Sequence, residues 1–185
     1  MTTQIFQGQP PLVDGRSERE VAVYKFLNQL GIAYTTACHT STHTMEACLA
    51  VERILDVPVC KNLFLCNRQQ TQFYLLMLPG DKVFKTKFLS AQLGCARLSF
   101  ASDESMFQLL GIHPGAVSPL GLMNDRSKMV RLIIDRDLLN DSSFGCHPCV
   151  NTATLKIKLD DFLHVFLPAV EHDYTIVDLP NGVDA

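Results

Sequence analysis

The chain has no apolar run long enough to cross a bilayer. Its longest, such as Phe73 to Leu78, falls far short of the ~20 residues a spanning helix requires. It has no excess of positive charge: 16 Lys and Arg stand against 19 Asp and Glu, a net charge of −3. That balance excludes a protein that coats nucleic acid non-specifically, so any RNA contact has to be local. The opening stretch MTTQIFQGQPPLVDG lacks a basic segment followed by an apolar core. It is therefore not read as a secretory signal, and a cytoplasmic location is expected. No internal repeat, low-complexity tract or linker interrupts the chain. The G-x-S-x-G, Walker and Rossmann patterns are also missing, so the motif-bearing hydrolase, P-loop and dinucleotide sites have no support. Neither a membrane nor DNA is an expected partner.

What is present suits one domain. The 185 residues are 47% hydrophobic and 19% charged, enough for a substantial core and short for two domains. Seven cysteines, at 38, 48, 60, 66, 95, 146 and 149, are odd in number, and several sit in apolar runs. They read as reduced, buried thiols rather than as a disulfide framework.

Residues 1–16 read as an irregular arm, and 17–180 as the domain. Ser17-Glu-Arg-Glu20 has the form of a capping box, with Val21, Tyr24, Leu27 and Leu30 following at helical spacing and Gly31 ending the helix. A strand is expected over 33–38. A helix over 44–55 should turn Ala47, Val51, Ile54 and Leu55 inward. The runs 61–67 and 73–79 flank the polar NRQQT and predict an antiparallel hairpin of central strands, apolar on both faces. Short helices are expected at 86–93 and 103–110, each before a glycine, with a strand at 96–100 between them. A Gly- and Pro-rich loop then covers 112–124. Strands at 130–135, 154–159 and 174–177 and a helix at 160–167, stopped by Pro168, complete the pattern. The expected fold class is α+β: a single domain with a mixed, mostly antiparallel β-sheet flanked by helices.

Three stretches carry candidate chemistry. In FGCHPCVNTAT, Cys146 and Cys149 form a C-x-x-C. A redox pair usually opens a helix, whereas β-branched residues leading into a strand follow here. Zinc bound by Cys38, His39, His43, Cys146 and Cys149 is a second reading, and packed thiols are the favoured one. In GIHPGAVSPLGL, four of the eleven residues after Gly111 are Gly or Pro. The loop is either an oxyanion hole of exposed amides or an ordinary tight connection. In CKNLFLC, Lys61 and Asn62 stand at the mouth of an apolar strand. Lys61 there could grip a phosphate or merely snorkel to the surface. Two basic clusters, Lys82/Lys85/Lys87 and Arg126/Lys128/Arg131, read as solvated surface.

Taken in order, KNLFLCN, GAVSP and HPCVNTAT resemble the YbaK-like, prolyl-tRNA-synthetase-associated editing domains, and within them the free-standing Ala-tRNA(Pro) deacylases. The likeness extends from about His39 to Val177, supported by TMEACLAVERIL, FYLLMLPGDKVFKTK and LSFAS. It implies hydrolysis of a mischarged amino acid, alanine before cysteine, from the acceptor end of tRNA(Pro), with prolyl-tRNA synthetase as a further partner and with no cofactor or metal. By the same resemblance Lys61, Gly115, Ala116, Val117, Ser118 and His147 are the catalytic set. Asn62, Pro119, Gly121 and Asn151 are the substrate-binding set. The amides of Ala116 to Ser118 are expected to serve the oxyanion, Lys61 to hold the terminal adenosine, and His147 to shape the amino-acid pocket.

Overall fold

The computed structural model describes residues 3–11, 15–40 and 45–181, without the side chains of 45–49. Its element order begins β1 (Gln4–Gln7), α1 (Glu18–Gln29), β2 (Tyr34–Cys38), α2 (Met45–Leu55), β3 (Cys60–Cys66) and β4 (Phe73–Pro79). It continues α3 (Thr86–Gln92), β5 (Ser99–Phe100), α4 (Asp103–Leu110), β6 (Val130–Asp135), β7 (Ser143–Cys146), β8 (Ala153–Lys158) and β9 (Tyr174–Val177). A 3-10 turn, Pro119–Asn124, closes the Gly- and Pro-rich loop. Between β8 and β9 the chain is helical from Leu159 to Ala169, with a π-helical stretch at Phe162–Phe166. Pro168 lies inside the last turn of that segment instead of stopping it.

The fold class is α+β in one domain, but the strands divide into two sheets rather than one. The first, β1-β2-β8-β7, is antiparallel throughout. The second, β5-β3-β4-β6-β9, is antiparallel around β3 and parallel where β6 meets β4 and β9. Two strands lie outside the sequence expectation. Gln4–Gln7, part of the supposedly irregular arm, pairs with β2, and Ser143–Cys146 pairs with β8.

The apolar runs explain why the second sheet is central. Side chains alternate across a strand, so a strand apolar at every position must be covered on both faces. Phe64, Phe73, Leu75, Met77, Leu132 and Ile134 enter the main core, which Phe144, Leu155 and Ile157 of the first sheet and Tyr24 and Leu27 of α1 close from the other side. Leu65, Tyr74, Leu76, Leu78 and Ile133 point the opposite way into a second core, with Leu89 of α3. A third cluster joins Ala37 of β2 to Val51 and Leu55 of α2. Ile54 is 42% exposed and is not part of that inner face; Thr44 and the side chain of Ala47 lie outside what is described.

The capping box of α1 is not formed. Ser17 makes no side-chain cap, and Glu20 is buried, accepting from Arg16 at 2.6 Å and from the Tyr24 hydroxyl at 2.7 Å. A buried carboxylate needs such partners more than the helix needs a second cap.

Candidate active site

The two sheets meet at a seam. Val59, just ahead of β3, forms a parallel bridge with Gly145 of β7, and the Gly145 amide donates to the Pro58 carbonyl at 2.9 Å. Two glycines crowd Val59, Gly145 across the seam and Gly80 beyond the end of β4 in its own sheet. A Cβ on Gly145 would stand 2.9 Å from Val59 Cγ2, and one on Gly80 would stand 2.7 Å from the Val59 carbonyl oxygen. Sequence reading does not reach this seam, because its two sides are far apart in the chain.

A cavity of about 270 Å³ opens at the seam, lined by Val59, Cys60, Asn62, Gly115, Val117, Cys146 and His147. All three motif stretches therefore meet in one place. β3 delivers Asn62 on the same face as Cys60, the loop delivers Gly115 and Val117, and the end of β7 delivers Cys146 and His147.

The polar groups there are arranged tightly. The Asn62 amide donates to the Val117 carbonyl at 3.2 Å, tying strand to loop. Gly115 has φ +85°, and a Cβ on it would lie 3.6 Å from the Asn151 side-chain nitrogen. Asn151 thus abuts the loop. Ala116 is buried and its amide donates to the His113 carbonyl at 3.2 Å, so this N–H is committed to the turn. Among the described residues the amides of Val117 and Ser118 donate to no protein acceptor. The Ser118 hydroxyl is buried and caps the 3-10 turn by accepting from Leu120. Pro119 and Gly121 are buried in that turn, away from the cavity lining. A Cβ on Gly121 would meet Ile112 Cδ1 at 2.5 Å, so its small size serves packing.

His147 is only partly exposed. Its Nδ1 lies 2.8 Å from the Ala153 carbonyl, which can only accept, so Nδ1 carries the proton and Nε2 of the neutral ring is an acceptor. Burial, opposed in part by that carbonyl and aided by His39, lowers its pKa. His39, whose ring centroid is 6.3 Å from that of His147, is buried, with Nδ1 on the Thr40 carbonyl at 3.0 Å and Nε2 on the Thr154 hydroxyl at 2.9 Å. It backs the site and was read from sequence only as a possible metal ligand.

Lys61 takes the other face of β3. Its Nζ donates to the Lys82 carbonyl at 2.9 Å, beside the second core and not among the cavity-lining groups. Lys82 is not a surface lysine. It is 4% exposed and its Nζ lies between Asp135 at 2.8 Å and Asp137 at 2.9 Å.

The thiols are protonated and packed. Burial pushes Cys60 and Cys149 up to about 12 and Cys146 well above its ordinary value. Cys60 donates weakly to the Gly145 carbonyl at 3.3 Å. Among the described residues no three His, Cys, Asp or Glu side chains converge as a metal site; His43 lies outside them. No helix among the described residues is long and apolar enough to cross a membrane.

Comparison with known proteins points the same way. The family model of the aminoacyl-tRNA editing domain matches residues 39–165. The chain is 33% identical over 140 residues to the prolyl-tRNA editing protein ProX of Acetoanaerobium sticklandii, covering 76% of this chain and 85% of that relative. It is 32% identical over 167 residues to prolyl-tRNA synthetase associated domain-containing protein 1 of Danio rerio, covering 89% and 88%. A crystal structure presented as a candidate trans-editing enzyme for prolyl tRNA synthetase superposes with TM-score 0.68 at 20% identity, over 91% of this chain and all of that one.

Proposed function

The chain belongs to the aminoacyl-tRNA editing domain family, and we propose that it is a trans-acting hydrolase that removes a mis-attached amino acid, alanine in the first place, from tRNA(Pro). The relative from Acetoanaerobium sticklandii is named as a prolyl-tRNA editing protein. Prolyl-tRNA synthetase is accordingly the proposed source of the mischarged substrate. A synthetase pocket sized for proline rejects a smaller side chain by only ~1–3 kcal/mol per missing methylene, so a second sieve is useful.

The observation that carries this reading is the convergence of Asn62, the Gly115–Val117 loop and His147 on one small cavity. Cys60, Cys146 and Val59 line it with compact apolar surface, which suits a methyl side chain. The His147 Nε2 lone pair is available to accept from the substrate's α-ammonium. The unengaged amides of Val117 and Ser118 are the oxyanion donors in this mechanism, and Ala116 has no part in it beyond the turn. Asn62, bonded to the Val117 carbonyl, and Asn151, beside Gly115, fix the loop.

No protein nucleophile is required. A thiol near pKa 12 is ionised in only about one part in 10⁵ at pH 7, and an aminoacyl ester is already activated. Water oxygen adds to the ester carbonyl carbon while the carbonyl oxygen gathers charge at the loop amides. The C–O bond to the ribose then breaks, and the ribose oxygen takes the proton that the attacking water gives up. Orientation and preorganised donors supply the acceleration. Lys61, on the far side of β3, acts in this scheme on the terminal nucleotide's phosphate and not on the ester.

The test is deacylation of Ala-, Cys- and Pro-tRNA(Pro) by the wild type, Lys61→Ala and His147→Ala. Rapid loss of alanine, with proline spared, supports the reading. Preference for cysteine keeps the chemistry and changes the substrate. Turnover of none of the three overturns it.

A further inference from the structure

A second recess lies at the other end of β3. It encloses about 1100 Å³, and its wall includes Arg68, Lys85, Lys87, Arg97, Ser99 and Phe100. All six are exposed. Four positive charges in a chain of net charge −3 are a local concentration, and no carboxylate lines the recess. Arg68, Lys87 and Arg97 enter no ion pair among the described residues. Phe100 is 63% exposed, the most open of the exposed large hydrophobic side chains, and it sits on the two-residue edge strand β5 beside these cations.

Resting on the deacylase reading, we propose that this recess seats the acceptor arm of the tRNA, with Arg68, Lys87 and Arg97 on phosphates and Phe100 stacked on a nucleobase. Cations that track a backbone beside an open aromatic ring are the composition that binds single-stranded nucleic acid. An acidic peptide has no use for the ring, and a flat anionic membrane cannot enter a concavity.

The spacing supports the assignment. β5 pairs with β3 only at Leu65 and Cys66, and no strand covers the β3 edge from Lys61 to Leu63 among the described residues. The recess flanks the Leu65–Cys66 end of β3 through Ser99 and Phe100, about 13 Å along the strand from Asn62 at roughly 3.3 Å per residue. Phe84 and Leu98 of its wall pack with the second core, so an RNA that reaches both openings passes around this uncovered edge. At roughly 3.4 Å per stacked nucleotide that distance is about four nucleotides. An RNA whose 3′-terminal ester enters the cavity carries its preceding single-stranded nucleotides to the recess. The acidic overall charge then limits binding to this edge.

The experiment combines two readouts on the full chain. Binding of an uncharged tRNA(Pro) transcript is followed by fluorescence anisotropy over a range of salt, for the wild type, Arg68→Glu/Arg97→Glu and Phe100→Ala. Deacylation is followed on Ala-tRNA(Pro) and on alanyl-adenosine. The charge-reversed variant is expected to bind the transcript at least ~10-fold more weakly and to show a salt dependence shallower by about one unit of log–log slope per phosphate contact removed. Phe100→Ala is expected to lose about tenfold, and both variants to hydrolyse alanyl-adenosine as the wild type does. Unchanged transcript binding by the charge-reversed variant overturns the proposal, and so does polyglutamate competing as well as RNA. If the wild type hydrolyses neither ester, the deacylase reading falls, while the binding arm still decides whether the recess holds RNA.

Discussion

The ammonium of Lys61 rests on the backbone carbonyl of Lys82, 2.9 Å away, and the ammonium of Lys82 is in turn buried between Asp135 and Asp137. The lysine that the family resemblance places in the catalytic set, expected there to hold the terminal adenosine, is held by a turn pinned in place by a buried ion pair. Burial alone would lower the Lys82 pKa, but its hydrogen bonds to the two carboxylates outweigh this and raise it. Among the described residues, one carboxylate oxygen of Asp135, Oδ2, already has no hydrogen-bond partner.

Removing the cation should therefore be costly. Lys82→Met leaves Asp135 buried, charged and unpaired, which is expected to cost about 3–5 kcal/mol. Urea denaturation of Lys82→Met and of Lys82→Met/Asp135→Leu checks this. The double variant should recover much of the loss, because a packed apolar pair avoids the desolvation penalty. A single variant as stable as the wild type would show that the pair does not hold the turn.

The seam supplies the second prediction. At Gly145 an added methyl meets Val59 Cγ2 at 2.9 Å, and at Gly80 it meets the Val59 carbonyl oxygen at 2.7 Å. A side chain can yield by rotation, whereas backbone cannot without moving β3. Gly80→Ala should thus cost more than Gly145→Ala, both within the ~1–3 kcal/mol of overpacking. Both should lower kcat/KM for Ala-tRNA(Pro), since the cavity opens at this junction. Chemical denaturation beside steady-state kinetics reads both effects, and an equal, negligible cost at the two sites would contradict the geometry.

Much of this arrangement was legible beforehand, for physical reasons particular to each element. β4 and the second half of β3 are apolar on both faces, and such runs have few alternatives to a central strand. β7 is four residues long and merges into CHPC, so nothing local distinguishes it from a loop. The gathering of Asn62, Gly115 and His147 was legible only through the motifs. The bridge that unites them joins Val59 to Gly145, a contact without a local signature. Lys82 was misread as surface because its partners lie 53 and 55 residues on. Lys61 and Asn62 are neighbours in the motif, yet strand alternation sends them to opposite faces. The committed amide of Ala116 is likewise visible only once the turn at His113 is formed.

The thiols yield a third prediction. Cys60, Cys146 and Cys149 are each no more than 5% exposed, whereas Cys38 and Cys95 are partly open. Since the thiolate is the reactive form, iodoacetamide should modify Cys38 and Cys95 first among the described cysteines, with Cys60, Cys146 and Cys149 reacting only on unfolding. Peptide mass mapping over a labelling time course gives the order. Activity should persist while Cys60, Cys146 and Cys149 remain unlabelled, and early modification of Cys60 or Cys146 with loss of activity would instead point to a thiol in the chemistry.

The pH dependence follows from the two histidines. Both His39 and His147 are held below the ordinary value of 6.5, burial being the main cause for each. The unfolded chain therefore takes up these protons more readily than the folded one. Well above pH 6.5 neither state is protonated, and stability does not vary from this source. As the pH falls below about 6.5 the unfolded state gains protons first, and stability is lost progressively. The same protonation places a donor on His147 Nε2, where the proposed mechanism needs a lone pair for the substrate's ammonium. The kcat/KM for Ala-tRNA(Pro) should thus fall on an acid limb whose midpoint lies below 6.5. In His147→Gln the side-chain oxygen can still accept but does not titrate in this range, so that limb should flatten while part of the activity remains. A wild-type profile level down to pH 5, or a limb unchanged in His147→Gln, would remove His147 from its role.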